Sequence, residues 1–326
     1  MDTQFATSVD GTRIAYAAAG AGPPLVIVEG ALGHRRLGAA KALSKTLTNH
    51  LTLYAYDRRG RGESEPGRSV YERQREVEDL GAVIAAAGGT AAVLGHSSGG
   101  ALALEAARQG VEMTKLIIYE APFVLDGSHQ PTDPDLAEKL RSIVDEGRRS
   151  DTVKRFLKVA GVPAPIVAAM RLAPSWQQRT AVAHTLPYDV SIVIGFRQGK
   201  PLPDGYYEAV KPETLVIAGG KSPPYMRHAQ EEIVQQLPHG SLEILAGERH
   251  TIRPRATTPA LLRFVTKMSE TASDRQQDEP SESYEHRSAG VVDPGCCALQ
   301  ALRDSPAAGH PDVEGRTCSQ TKTGRL

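Results

Sequence analysis

Ala91-Ala92-Val93-Leu94-Gly95-His96-Ser97-Ser98-Gly99-Gly100, continued by Ala101 to Arg108, is the stretch that decides the fold. Ala91 to Leu94 is a short apolar run with the character of a buried strand, and Gly100 to Arg108 is rich in Ala and Leu and reads as a helix. Between them Gly95-His96-Ser97-Ser98-Gly99 fits G-x-S-x-G. A residue on so tight a strand-to-helix turn stands exposed in a strained conformation, and only small neighbours two positions away on either side leave it room. Ser97 is therefore a candidate nucleophile. The wider stretch Leu80 to Leu104 contains no Asp, Glu, Lys or Arg and is long enough to suggest a membrane span. Gly88-Gly89, Gly99-Gly100 and the polar His96-Ser97-Ser98 break it into helix end, turn, strand, turn and helix, which makes it buried core.

Outward from this centre the same alternation repeats. Thr3 to Ser8 and Arg13 to Ala18 flank Asp10-Gly11, a pair suited to a tight hairpin turn. Leu25 to Val28, Leu51 to Ala55 and Lys115 to Tyr119 read as further buried strands, with helical stretches between them. Thr214 to Ala218, a helical Tyr225 to Leu237, a strand at Ser241 to Leu245 and a last helix at about Pro259 to Met268 resume the series. The fold class is α/β, a mostly parallel doubly wound sheet. Residues 122–188 interrupt it with helical patterns at Asp135 to Glu146 and Thr152 to Val159, punctuated by Pro163, Pro165, Pro174 and Pro187. This is a helical cap inserted between core segments 1–121 and 189–270. Residues 271–326, polar and without sustained period, are expected to be a disordered tail.

Across 326 residues, 38 Lys and Arg balance 38 Asp and Glu. A neutral chain gives no electrostatic reason to expect nucleic acid or an anionic membrane as partner; a small molecule is the expected one. Cys296, Cys297 and Cys318 all lie near the C-terminus, and they form neither a disulfide framework nor a zinc site. Neither a P-loop nor a dinucleotide fingerprint is present, so the expectation is no metal and no cofactor. Met1 to Ala19 lacks a basic segment followed by an apolar one, and a cytoplasmic location is expected.

Ala91 to Arg108, together with Asp57-Arg58-Arg59-Gly60-Arg61-Gly62-Glu63-Ser64 after the strand at Leu51 to Ala55, resembles the α/β-hydrolase superfamily over about residues 1–268. The resemblance implies an α/β-hydrolase fold with a Ser nucleophile, a later acid and a last His. It selects His250, just past the last strand, as the base. It implies an oxyanion hole from the backbone N–H of Ser98 and a second N–H from the loop Glu29-Gly30-Ala31-Leu32-Gly33, by position that of Ala31. The family usually has His before that Gly, and here Glu29 stands in its place. The acid departs too. The loop after Thr214 to Ala218, where most members carry Asp, reads Gly219-Gly220-Lys221-Ser222-Pro223-Pro224 without a carboxylate. Lys115 to Tyr119 instead runs directly into Glu120, the position at which haloalkane dehalogenases and some lipases of the superfamily carry their acid. Glu120 is therefore the expected acid, with Asp126 in reserve. A dehalogenase is unlike this chain, because Ser97 stands where that chemistry has Asp.

Trp176, His34 and His184 are the expected substrate-lining residues, with His96 and His228 as packing or pocket groups. Together these features imply a serine hydrolase acting through an acyl-enzyme on a small, uncharged, moderately hydrophobic ester, amide or lactone. A non-catalytic ligand-binding protein of the same fold, and an acyltransferase or perhydrolase using the same residues, are the alternatives.

Overall fold

The computed structural model describes residues 2–68 and 70–266. The expected disordered tail lies outside the described residues. Eight strands form one sheet: β1 (Gln4–Thr7), β2 (Arg13–Ala19), β3 (Pro24–Val28), β4 (Thr52–Tyr56), β5 (Ala92–His96), β6 (Lys115–Tyr119), β7 (Glu213–Gly219) and β8 (Gly240–Leu245). Their order is β1-β2-β4-β3-β5-β6-β7-β8. The β1–β2 hairpin is antiparallel and joins β4 antiparallel; from β4 to β8 every pairing is parallel.

Parallel strands buried on both faces read as near-continuous apolar runs, and β3, β5 and β6 do, apart from Lys115 at the start of β6 and His96 at the end of β5. Alternate residues serve opposite faces, as the pleat requires. Val26, Val28, Val93, Leu116 and Ile118 pack with α2 (Arg73–Ala86), α3 (Ser98–Arg108) and α9 (Pro224–Gln236). Leu25, Ile27, Leu94, Ile117 and Tyr119 pack on the other side with α1 (Ala39–Leu47) and α10 (Pro254–Thr266). The last helix begins five residues before its expected start. Pro254 opens it, where a missing N–H costs nothing. Pro259 lies inside the helix, which is retained because Ala260, Leu261 and Phe264 are buried in the core.

Between β6 and β7 run α4 (Leu136–Asp145), α5 (Arg149–Val159), α6 (Ala164–Met170), α7 (Ser175–Ala181) and α8 (Leu186–Val193). They enclose a cluster of their own, with Leu140, Val153, Leu157, Leu186 and Val190 packed about Leu32 from the loop after β3. The register Val28↔Gly95, His96↔Tyr119, Tyr119↔Ile217 brings the carboxyl ends of β3, β5, β6 and β7 to one edge. In an open parallel sheet that edge is where a site can be built from several loops.

Candidate active site

Ser97 sits between β5 and α3 with φ 56° and ψ −127°, a conformation that costs a non-glycine residue on the order of 1–3 kcal/mol. The turn is held by the Ser97 N–H donating to the Tyr119 carbonyl at 3.0 Å, which continues the β5–β6 ladder. The flanking glycines are obligatory. A Cβ on Gly99 would lie 2.2 Å from the Val28 carbonyl oxygen, and one on Gly95 would lie 2.6 Å from Gly100 Cα.

His250 lies on the loop after β8, with its Nε2 3.0 Å from Ser97 Oγ and its Nδ1 2.9 Å from Glu120 Oε2. A carboxylate can only accept, so Nδ1 carries the proton and Nε2 is free to accept from the Ser97 hydroxyl. Glu120, directly after β6, is fully buried and also has positive φ, 49°. Its N–H donates to the Ile217 carbonyl at 3.1 Å, and its Oε1 accepts from the Gly219 N–H at 2.7 Å. Burial raises the Glu120 carboxyl, but the hydrogen bonds from His250 and the Gly219 amide outweigh it and hold the group below the ordinary carboxylate value. Asp126 pairs with His228 Nδ1 at 2.6 Å, away from His250.

The His250 loop is anchored from beneath. His96 Nε2–H donates to the His250 carbonyl at 2.9 Å and the Tyr119 hydroxyl to the Arg249 carbonyl at 2.9 Å. Burial brings His96 down to about 4, so its ring is a neutral donor at physiological pH. Sequence alone offered only packing for this residue.

Ala31 and Ser98 line the same cavity as Ser97. Their backbone N–H groups have no hydrogen-bond partner among the described residues. Leu32, next to Ala31, takes φ 64°, and Gly33 N–H closes the turn onto the Gly30 carbonyl at 3.1 Å. Glu29, the departure at the family's usual His, caps a helix: its two oxygens accept from the Ala39 and Ala40 N–H groups at 2.9 and 2.8 Å, at the start of α1. Burial pushes its carboxyl up to about 7, against those amides and the Arg61 charge.

A buried ionic network joins this loop to α8. Asp189 accepts from Arg58 and Arg61, each at 2.7 Å, and from Ser98 Oγ at 2.8 Å. Arg58 is also paired through Nε and Nη2 with Glu76 at 2.6 and 2.7 Å, and Arg61 donates to the Gly30 and Gly33 carbonyls. The arginine-rich turn thus holds the oxyanion loop and the nucleophile turn in register. Its sequence signal was one acid, Asp189, in an otherwise uncharged helix.

The cavity, about 450 Å³, opens on Ser97 and His250, and α4, α5 and α8 supply much of its apolar wall. The three residues expected to line it are elsewhere. Trp176 packs against the helices' own cluster and borders a separate groove with Arg148 and Thr180, since an aromatic side chain finds its burial there. His184 Nε2 donates to the Gly60 carbonyl at 2.8 Å, tying the helices to the arginine turn. His34 is buried in a bridge with Leu37, its Nδ1 accepting from the Arg36 N–H at 3.3 Å. Among the described residues no group of three or more His, Cys, Asp or Glu side chains is placed to hold a metal, and no helix is long and apolar enough to cross a membrane.

Residues 21–261 match the model of the alpha/beta hydrolase family. The structure of an alpha/beta hydrolase from Sphaerobacter thermophilus is similar at 41% identity and a TM-score of 0.74, over 81% of this chain and 100% of that one. Esterases from Exiguobacterium antarcticum and from Rhodococcus sp. ECU1013 share the fold at 21% identity each. Their TM-scores are 0.61 and 0.58; they cover 81% and 82% of this chain, and 99% and 100% of their own.

Proposed function

The chain belongs to the alpha/beta hydrolase family, and we propose that it acts there as a cofactor-free serine hydrolase on a small, moderately hydrophobic carboxylic ester, amide or lactone. The observation that carries this reading is the unbroken relay from Ser97 Oγ through His250 to Glu120, at 3.0 and 2.9 Å. His250 Nε2 takes the Ser97 proton as Oγ attacks the carbonyl carbon. The developing oxyanion is met by the Ala31 and Ser98 amides. Glu120 holds the Nδ1–H tautomer and stabilises the imidazolium. Collapse breaks the bond to the leaving group, which departs with the proton from His250 and leaves an acyl-Ser97. Water, deprotonated by His250, then releases the acid.

The test is labelling of the purified protein with a fluorophosphonate, the adduct mapped by peptide mass spectrometry. Adduct on Ser97, absent in Ser97→Ala and slowed by about three orders of magnitude or more in Glu120→Gln, is the expected result. A folded protein that takes no adduct would count against catalysis at this site. An adduct formed at an undiminished rate in Glu120→Gln would remove the acid from the mechanism.

A further inference from the structure

Away from the serine–histidine relay, the Asp, Glu, Lys and Arg side chains that line the cavity are four: Glu29, Asp189, Arg179 and Arg197. Both carboxylates are fully engaged inside the protein, Glu29 by the start of α1 and Asp189 by two guanidinium groups and Ser98. Neither arginine is matched in the same way. Arg197, which follows the short helical turn Ile194–Phe196, is only 8% exposed. Its Nε donates to Thr132 Oγ1 at 2.9 Å and its Nη1 to the Pro122 carbonyl, both neutral acceptors. The Tyr225 hydroxyl acts on it as a further side-chain hydrogen-bond partner. No Asp or Glu side chain of the described residues is among the groups that act on its charge. Arg179, on α7, donates to the Ser175 carbonyl of its own helix at 3.2 Å. Among the described residues no carboxylate pairs with either guanidinium.

Arginine stays protonated even when buried, and buried charges are ordinarily paired. Arg58, Arg59 and Arg61 in this same protein each have a carboxylate within 2.7 Å. Arg197, the buried exception, and the half-buried Arg179 both face the space that opens on Ser97. Around them the wall is apolar, with Leu136, Leu157, Val162, Met170, Val190 and Val193. The missing countercharge therefore belongs to whatever enters. A planar guanidinium without a carboxylate partner is shaped to take one, and the apolar wall is shaped for the carbon chain that separates that carboxylate from the reacting carbonyl.

We infer that the cavity takes an ester or amide that also bears a carboxylate, held by Arg197 with Arg179 as a second cation. The placement of the reacting carbonyl rests on the serine-hydrolase reading; the anion site does not. This replaces the uncharged substrate expected from a chain of zero net charge, because net charge does not report on one cavity.

The experiment has a binding arm and a turnover arm, both on the full chain. In Ser97→Ala protein, calorimetry compares monomethyl glutarate with dimethyl glutarate. The monoanion should bind about tenfold tighter or better, and the gap should fall to about twofold when Arg197→Gln is added. Arg197→Lys, which keeps the charge without the fork, should retain part of it. Should Arg197→Gln not fold, rising chloride in the Ser97→Ala protein must narrow the gap instead. Equal affinity, preference for the diester, no binding of the monoester at about 10 mM, or a gap indifferent to both Arg197 and salt would overturn the proposal.

In the turnover arm, para-nitrophenyl hemiglutarate should exceed para-nitrophenyl pentanoate in kcat/KM by about tenfold in the unaltered enzyme, with that ratio collapsing in Arg197→Gln. Binding of the monoester by Ser97→Ala protein, where fluorophosphonate fails to label the unaltered protein, would sink the hydrolase reading and leave the anion site standing. Turnover of both esters without preference would do the reverse.

Discussion

Asp189→Asn isolates what the buried network contributes. The substitution keeps shape and volume, so it opens no cavity; it removes one negative charge from between two guanidinium groups that are each 1% exposed. Arg58 retains its two contacts to Glu76. Arg61 is left with the Thr185 hydroxyl and the Gly30 and Gly33 carbonyls, all neutral. The cost is thus that of one buried cation stripped of its partner, about 3–5 kcal/mol. In a domain of this size about 2–4 °C of Tm accompanies each kcal/mol, so thermal unfolding should occur roughly 6–20 °C lower. Urea unfolding should show the same loss in the midpoint with an unchanged slope. Adding Arg61→Met removes the orphaned charge, and a double-mutant cycle should return a coupling of at least about 1 kcal/mol. A Tm shift below about 2 °C in Asp189→Asn, the size expected of a solvent-exposed pair, would refute the reasoning.

Glu29 gives a pH signature. Its folded-state value of about 7 lies above the ordinary 4.5, so the folded protein holds a proton that the unfolded chain releases between those limits. Stability from this group is therefore lost as pH rises from about 4.5 to 7, by on the order of 3 kcal/mol in all. Urea midpoints at pH 5, 6 and 7 should converge or cross between wild type and Glu29→Gln, and parallel trends would dismiss the assignment. Gly99→Ala drives a methyl group into the Val28 carbonyl and should destabilise by about 3 kcal/mol, read by the same denaturation. A Gly99→Ala protein of wild-type stability would mean that the turn relaxes freely.

The sheet was legible because its signals are local. Short apolar runs of four or five residues name β3, β5, β6 and β7, and Gly95 to Gly99 names the turn. The approach of His250, Glu120 and Ser97 was legible through the resemblance to the α/β-hydrolases, which points to three strand ends, and each residue follows its strand within a few positions. The cavity wall could not. Trp176, His184 and His34 were singled out by residue type, but type does not say which side of a short helix faces Ser97. Arg197 and Arg179 carry no signal in the sequence, because only a map of partners shows a cation without a carboxylate. The fate of Glu29 likewise depended on where α1 begins, a contact ten residues away in sequence.

The relay through His250 draws on chain positions 97, 120 and 250, and its closure depends on the sheet's far edge. The nucleophile turn needs only β3, β5 and β6, which are contiguous in the sheet. The Glu120 carboxylate, however, is fixed by the last residue of β7, and His250 arrives only after β8. A chain refolding from its amino-terminal half would present a formed serine turn with no base. Regain of turnover therefore clocks the docking of the final two strands, and it should trail the recovery of secondary structure whenever that docking is the slow step.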